Sequence, residues 1–222
     1  MNTWGGDMHE LRADGLLIVG DEASPDHEPP IIGVSACGND HGKELCCRTG
    51  YALQEAAKQL EAYSWFFVLD DDVYVNVHNA RQALLYRDPD DLIALGIPSC
   101  GPEDAAGFCG GAGYIISQAS LRKIMARSGE AFQSDLMGNL VGGAYGLVWD
   151  DLSISGVLKR NGVHLEQLDG LYGWQLDNSQ ELEDGYASAI MATDPLPITF
   201  HYVTSRQNEM LVFCPDSYNA CL

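Results

Sequence analysis

Basic residues are what this sequence has least of. Twelve Lys and Arg stand against 32 Asp and Glu, for a formal net charge of −20. Phosphate backbones are bound through Lys and Arg, so no nucleic-acid partner is expected. No run of about 18 apolar residues occurs, so no transmembrane segment is expected within the chain. The opening Met1-Asn2-Thr3-Trp4 is polar and does not read as a secretory leader. The seven cysteines include no CxxC pair, which removes the usual mark of a structural zinc site. Apolar residues make up 46% of the chain, too many for a disordered polypeptide.

What is present suits one sizeable domain, since 222 residues can close a full core. The cysteine density points to an oxidising compartment. Local spacing allows Cys37 to pair with Cys46 or Cys47, and Cys214 with Cys221, while the odd count leaves a thiol over. Strand-like runs at 14–20, 31–36, 65–69, 92–97, 109–117 and 198–203 alternate with helical spacing at 46–60, 79–86, 118–127 and 150–161. Residues 129–148 read as a substrate loop and 165–197 as mixed and irregular. The alternation predicts an α/β domain with a mixed sheet flanked by helices.

The most informative stretch is 65–77, WFFVLDDDVYVNV. Its apolar half is continuous rather than alternating, as in a strand of a mostly parallel sheet covered on both faces. It ends in Asp70, Asp71 and Asp72, at the strand edge where open α/β sheets place ligands. At roughly 4–6 Å and an effective dielectric of about 20, each carboxylate pair repels by about 3–4 kcal/mol. A cation offsets that repulsion, and hard oxygen ligands suit Mg²⁺ or Mn²⁺ better than Zn²⁺. In extended chain Asp70 and Asp72 share a side and Asp71 points away.

Two further segments carry site-like chemistry. Gly110, Gly111 and Gly113 of FCGGAGYIIS would let backbone approach a sugar or phosphate closely; the plain alternative is a tight turn. Trp149 precedes the helix at 150–161, and Asp150 and Asp151 open it. An acid there caps the helix in the ordinary case. Trp149 is either a floor for a sugar ring or a core residue.

These blocks, followed by WDDLSISGVLKRNGV and ITFHYVTSRQNEM, resemble the Fringe and core 1 β-1,3-galactosyltransferase family. TWGG near the start and CCRTGYAL fit its opening half. The resemblance implies a single GT-A (Rossmann-like) domain over 1–222 and inverting transfer of galactose or N-acetylglucosamine from a UDP-sugar. The acceptor would be a glycan or glycoprotein, extended in β-1,3 linkage with Mn²⁺ or Mg²⁺ as cofactor. Asp72 is then the direct metal ligand, His201 the distant second ligand, and Asp70 acts through water or the nucleotide. Asp71 reaches towards the ribose, Arg48 meets the diphosphate, and Asp151 is the base, ahead of Asp150. The family setting is the Golgi lumen and O-glycosylation.

Two departures accompany that likeness. The chain is expected to begin at or after the family's first strand, as an N-terminally truncated domain without the membrane anchor. LYGWQ at 171–175 replaces the Fringe-type histidine pair. A competing expectation is therefore a non-catalytic glycan- or nucleotide-binding relative, which would release no UDP with any acceptor. A calcium-stabilised acidic domain is disfavoured, because the alternating Asp/Asn spacing and closing Glu of a calcium loop are missing.

Overall fold

The computed structural model describes residues 15–27, 29–38, 42–142, 148–173 and 196–201. Its strands and helices, in chain order, open with β1 (Ile18–Gly20), β2 (Ile31–Gly33), α1 (Lys43–Ala57), β3 (Trp65–Val68), β4 (Tyr74–Val75), α2 (Val77–Leu84) and β5 (Ile93–Gly96). They continue with β6 (Tyr114–Ser117), α3 (Gln118–Ile124), α4 (Gly129–Met137), β7 (Val141–Gly142), β8 (Val148–Trp149) and α5 (Asp150–Arg160). Last come β9 (His164–Gln167), β10 (Leu171–Tyr172) and β11 (Thr199–Phe200).

The central sheet runs β3-β6-β5-β9. The aspartate-bearing strand β3 pairs antiparallel with β6, whereas β5 and β9 are parallel. The expectation of a mostly parallel sheet around β3 is thus corrected. The continuous apolar run has another cause, namely that both faces of β3 are covered. Phe66 and Val68 join a core with Tyr114, Ile116 and Ala94 beneath α1, α3, α4 and α5. Trp65 and Phe67 turn to the other face, with Ile115, Leu95 and Ala80 of α2. Burial on two faces removes the polar alternation that antiparallel strands usually show.

Helix starts follow local capping. Asn76 Oδ1 accepts from the Asn79 N–H at α2, and Ser117 Oγ accepts from the Ser120 N–H at α3. The segment read as a substrate loop instead contains α4, capped by Ser128 and buried through Phe132 and Leu136. Those two apolar residues lie four apart, one helical turn, but the pattern is too short to stand out. The stretch read as irregular contains β9 and β10, short strands defined by their partners rather than by composition. The first helix begins earlier than 46 and stops at Ala57, and α2 stops at Leu84, leaving Leu85 and Tyr86 exposed.

Two disulfides cross-link the described residues. Cys37 pairs with Cys47, one of the two local options, and Cys46 is a buried free thiol. Cys100 pairs with Cys109, which the spacing argument did not single out. Cys214 and Cys221 lie outside the described residues, as do TWGG and the chain after His201.

Phe132 is 1% exposed and anchors α4 beneath the sheet. Phe132→Ala is expected to cost about 3–5 kcal/mol through lost burial and the cavity left behind. Ser128→Ala is expected to cost only about 1 kcal/mol as a lost cap. Urea denaturation measures both, and a Phe132→Ala effect no larger than the cap effect would contradict this placement of α4.

Candidate functional site

The site is assembled by a second, small sheet of order β10-β11-β4. β11 is antiparallel to β4, with Thr199 opposite Val75 and Phe200 opposite Tyr74. One step further along that register places His201 opposite Val73, beside Asp72. β10 is parallel to β11, with Tyr172 alongside Phe200. The same step brings Gly173 alongside His201. Backbone pairing therefore delivers an imidazole to the aspartate run from a distant part of the chain.

Ligand atoms of Asp70, Asp72 and His201 all lie within 4.8 Å of one another. The alternation argument does not describe how the two aspartates meet. Residues 70–73 form a turn closed by the Val73 N–H to the Asp70 carbonyl, so Asp70 and Asp72 converge through a bend rather than along a strand. Asp71 is exposed and outside the group.

A hydrogen bond to backbone orients the His201 ring. Its Nδ1 lies 3.0 Å from the Gly173 carbonyl, which can only accept, so Nδ1 carries the proton. In the neutral ring the Nε2 lone pair then faces Asp72 Oδ1 at 3.4 Å. That carboxylate oxygen is buried and makes no hydrogen bond among the described residues. A buried acceptor without a donor is costly. Such a pair of facing electron-rich atoms, with one ring nitrogen anchored by a carbonyl, could hold a divalent cation together with Asp70. Oxygen and imidazole ligands fit Mn²⁺ or Mg²⁺.

Asp70 keeps an accessible face, while protein crowds its other sides. That desolvation, with Asp150, Asp72, Asp71 and Asp151 nearby, pushes its carboxyl up to about 7.

The acid pair faces two directions. Asp150 Oδ2 accepts from Thr49 Oγ1 at 2.7 Å, tying α5 to α1. Asp151 Oδ2 accepts the Gly110 N–H at 2.6 Å, and its Oδ1 accepts the Leu152 N–H at 2.8 Å. Burial pushes the Asp151 carboxyl up to about 6; the Gly110 N–H pulls against that, and Asp150 adds to it. Trp149 is part-exposed at 38% and stands immediately before the pair, so it is not a core residue.

The glycine turn touches both halves of the site. A side chain on Gly110 would strike the Asp151 carboxylate, and one on Gly111 would overlap the His201 ring. Gly113 holds φ +76°, a backbone conformation that side chains disfavour. Arg48 lies on α1, where its guanidinium pairs with Asp21 at 2.8 Å and donates to the Gly38 carbonyl.

A sequence model of the Fringe-like family matches residues 19–212. The chain belongs to the Fringe-like family. Membership implies glycosyltransferase activity in general, and the mixed α/β structure is consistent with the family's GT-A-like fold. On this Fringe-like chain, the residues read from sequence fall into three groups. Asp70, Asp72 and His201 meet directly; Asp151 meets Gly110; Asp71 is exposed beside the first group, and Arg48 pairs with Asp21. Sequence reading missed Gly173 and Thr49. Gly173 acts through a carbonyl that every residue has, so no side-chain signal exists. Thr49 carries no signal beyond one hydroxyl on a helix.

The raised Asp70 carboxyl has a consequence for stability. Below its ordinary 3.8 both folded and unfolded chains hold the proton. Between 3.8 and about 7 the fold keeps a proton that the unfolded chain has released. Stability is therefore lost as pH rises through that window, and the loss is complete above it. Urea midpoints in EDTA should fall from pH 4.5 to pH 8 more steeply for the native chain than for Asp70→Asn. Parallel slopes would show that Asp70 titrates normally.

Proposed function

We propose that this protein is an inverting, metal-dependent transferase moving galactose or N-acetylglucosamine from a UDP-sugar to a glycan acceptor in β-1,3 linkage. The observation that supports it is the His201 Nε2 lone pair aimed at the unpartnered Asp72 oxygen. Asp72 and His201, with Asp70 beside them, would hold Mn²⁺ or Mg²⁺. Bound there, the cation supplies Lewis-acid stabilisation of the charge that develops on the departing diphosphate.

The chain's own residues supply the rest. Asp151 stands as the general base that takes the acceptor hydroxyl proton. A carboxyl held near 6 is ionised at neutral pH yet more basic than an ordinary aspartate. The Gly110 N–H and the Leu152 N–H fix its orientation. Asp150, held by Thr49, sets the start of α5 from which Asp151 projects. Trp149 offers an exposed ring face beside the acid pair for an acceptor sugar. Gly111 and Gly113 keep the glycine turn slim enough for the donor to approach, with Asp71 towards the ribose. Arg48 serves the diphosphate side through the α1 segment it braces.

The same reading takes residues 1–222 as one Fringe-like domain and places its work in the Golgi or secretory-pathway lumen. Two disulfides support an oxidising compartment. No helix among the described residues is long and apolar enough to cross a membrane.

A screen of UDP-sugars for Mn²⁺-dependent UDP release tests the reading. Asp151→Asn should retain calorimetric binding of UDP with Mn²⁺ while kcat falls by a factor on the order of 10²–10⁴. Asp72→Ala should lose the Mn²⁺-dependent binding itself. In the native enzyme, kcat/KM should climb about tenfold per pH unit up to a limb near pH 6, the ionisation of Asp151. UDP binding that is tight and indifferent to metal would refute the scheme.

A further inference from the structure

The Cys100–Cys109 disulfide lies outside the ligand set, yet it is attached to a segment that touches both Asp151 and His201. It joins residues 9 apart and closes a short hairpin. Cys100 and Gly107 exchange both backbone hydrogen bonds across that hairpin, and the Cys109 N–H returns to the Ile97 carbonyl at the end of β5. The hairpin is thereby fastened to the central sheet. Its far end, Cys109, is bonded directly to Gly110.

From that point four consecutive residues make four different contacts. The Gly110 N–H holds Asp151 Oδ2 at 2.6 Å. Gly111 lies against the His201 ring with no room for a side chain. The Ala112 carbonyl accepts from Thr199 Oγ1 at 2.7 Å, two residues before His201. Gly113 crosses β3 against Leu69 and Phe67, immediately before the aspartate run. A turn made of three glycines and one alanine is the most flexible backbone available, and Gly loses the most freedom when ordered. It nevertheless has to fix a carboxylate, an imidazole and a strand end together. The cross-link at Cys109, the residue just before it, removes part of that freedom from the unfolded chain.

We propose that Cys100–Cys109 is a positioning cross-link, which holds the glycine turn so that His201 and Asp151 stand in working register with Asp72. The inference rests on the reading of Asp72 and His201 as metal holders and of Asp151 as base. It adds that this register is maintained from outside the site, by a bond that touches neither substrate nor metal. Cys37–Cys47 does not share the role, since it fastens the start of α1 to the chain after β2.

The test is the double variant Cys100→Ser/Cys109→Ser, which leaves no unpaired thiol at the hairpin. Mn²⁺ affinity is read by calorimetry without any substrate, and kcat by UDP release, with far-UV circular dichroism to confirm the fold. Native protein and Asp72→Ala are run alongside. The cross-link reading expects Mn²⁺ to bind on the order of tenfold more weakly to the folded serine variant, the scale of a lost outer-shell support. It expects kcat to fall by at least a similar factor, as a small misplacement of reacting groups does. If the serine pair fails to fold, the same readings are taken on folded native protein after mild reduction. Mass spectrometry must then show Cys100 and Cys109 alkylated and Cys37–Cys47 intact. Mn²⁺ affinity and kcat both within twofold of the native values overturn the cross-link proposal alone. Native protein showing no Mn²⁺ uptake sensitive to Asp72→Ala overturns the metal reading, and the cross-link proposal with it.

Discussion

An imidazole nitrogen and a carboxylate oxygen face each other across 3.4 Å with no hydrogen bond recorded between them. The surrounding structure is arranged to hold them there. The Gly173 carbonyl fixes the histidine ring, the small sheet fixes the Gly173 backbone, and the turn after β3 fixes Asp72. Most folds avoid such an opposition, because an unpaired buried acceptor costs free energy and a hydrogen bond would remove the cost. Its presence beside Asp70 makes a group of ligand atoms that could hold a cation.

That constraint accounts for the concentration of negative charge as well. Burial raises the Asp70 and Asp151 carboxyls, and the Asp150 charge adds to both shifts. The fold tolerates this through backbone N–H groups and a hydroxyl rather than basic side chains. Gly110 and Leu152 donate to Asp151, and Thr49 donates to Asp150. With so few Lys and Arg in the chain, this is the means left for stabilising anionic groups.

The glycine turn links the two chemical halves. One side restrains the proposed base and the other packs on the proposed ligand, so neither can shift alone. Family membership supports the transferase class, while the contacts of this turn tie the positions of Asp151 and His201 to each other.

The sequence by itself determined the local elements and half of the site. WFFVLDDDV announces a covered strand that ends in carboxylates, because apolar and acidic residues change over within one step. Asp150 and Asp151 announce a helix start, because acids favour that end. Neither inference needs a partner from elsewhere in the chain. Only the tertiary structure decided which strands pair, that β3 runs antiparallel to β6, and that α4 and β9 exist where composition is weak. It also decided that His201 reaches Asp72 through the register of β11 on β4, and that Gly173 orients it. Those facts depend on backbone hydrogen bonds between segments far apart in the chain, and such bonds are made by groups that every residue carries alike.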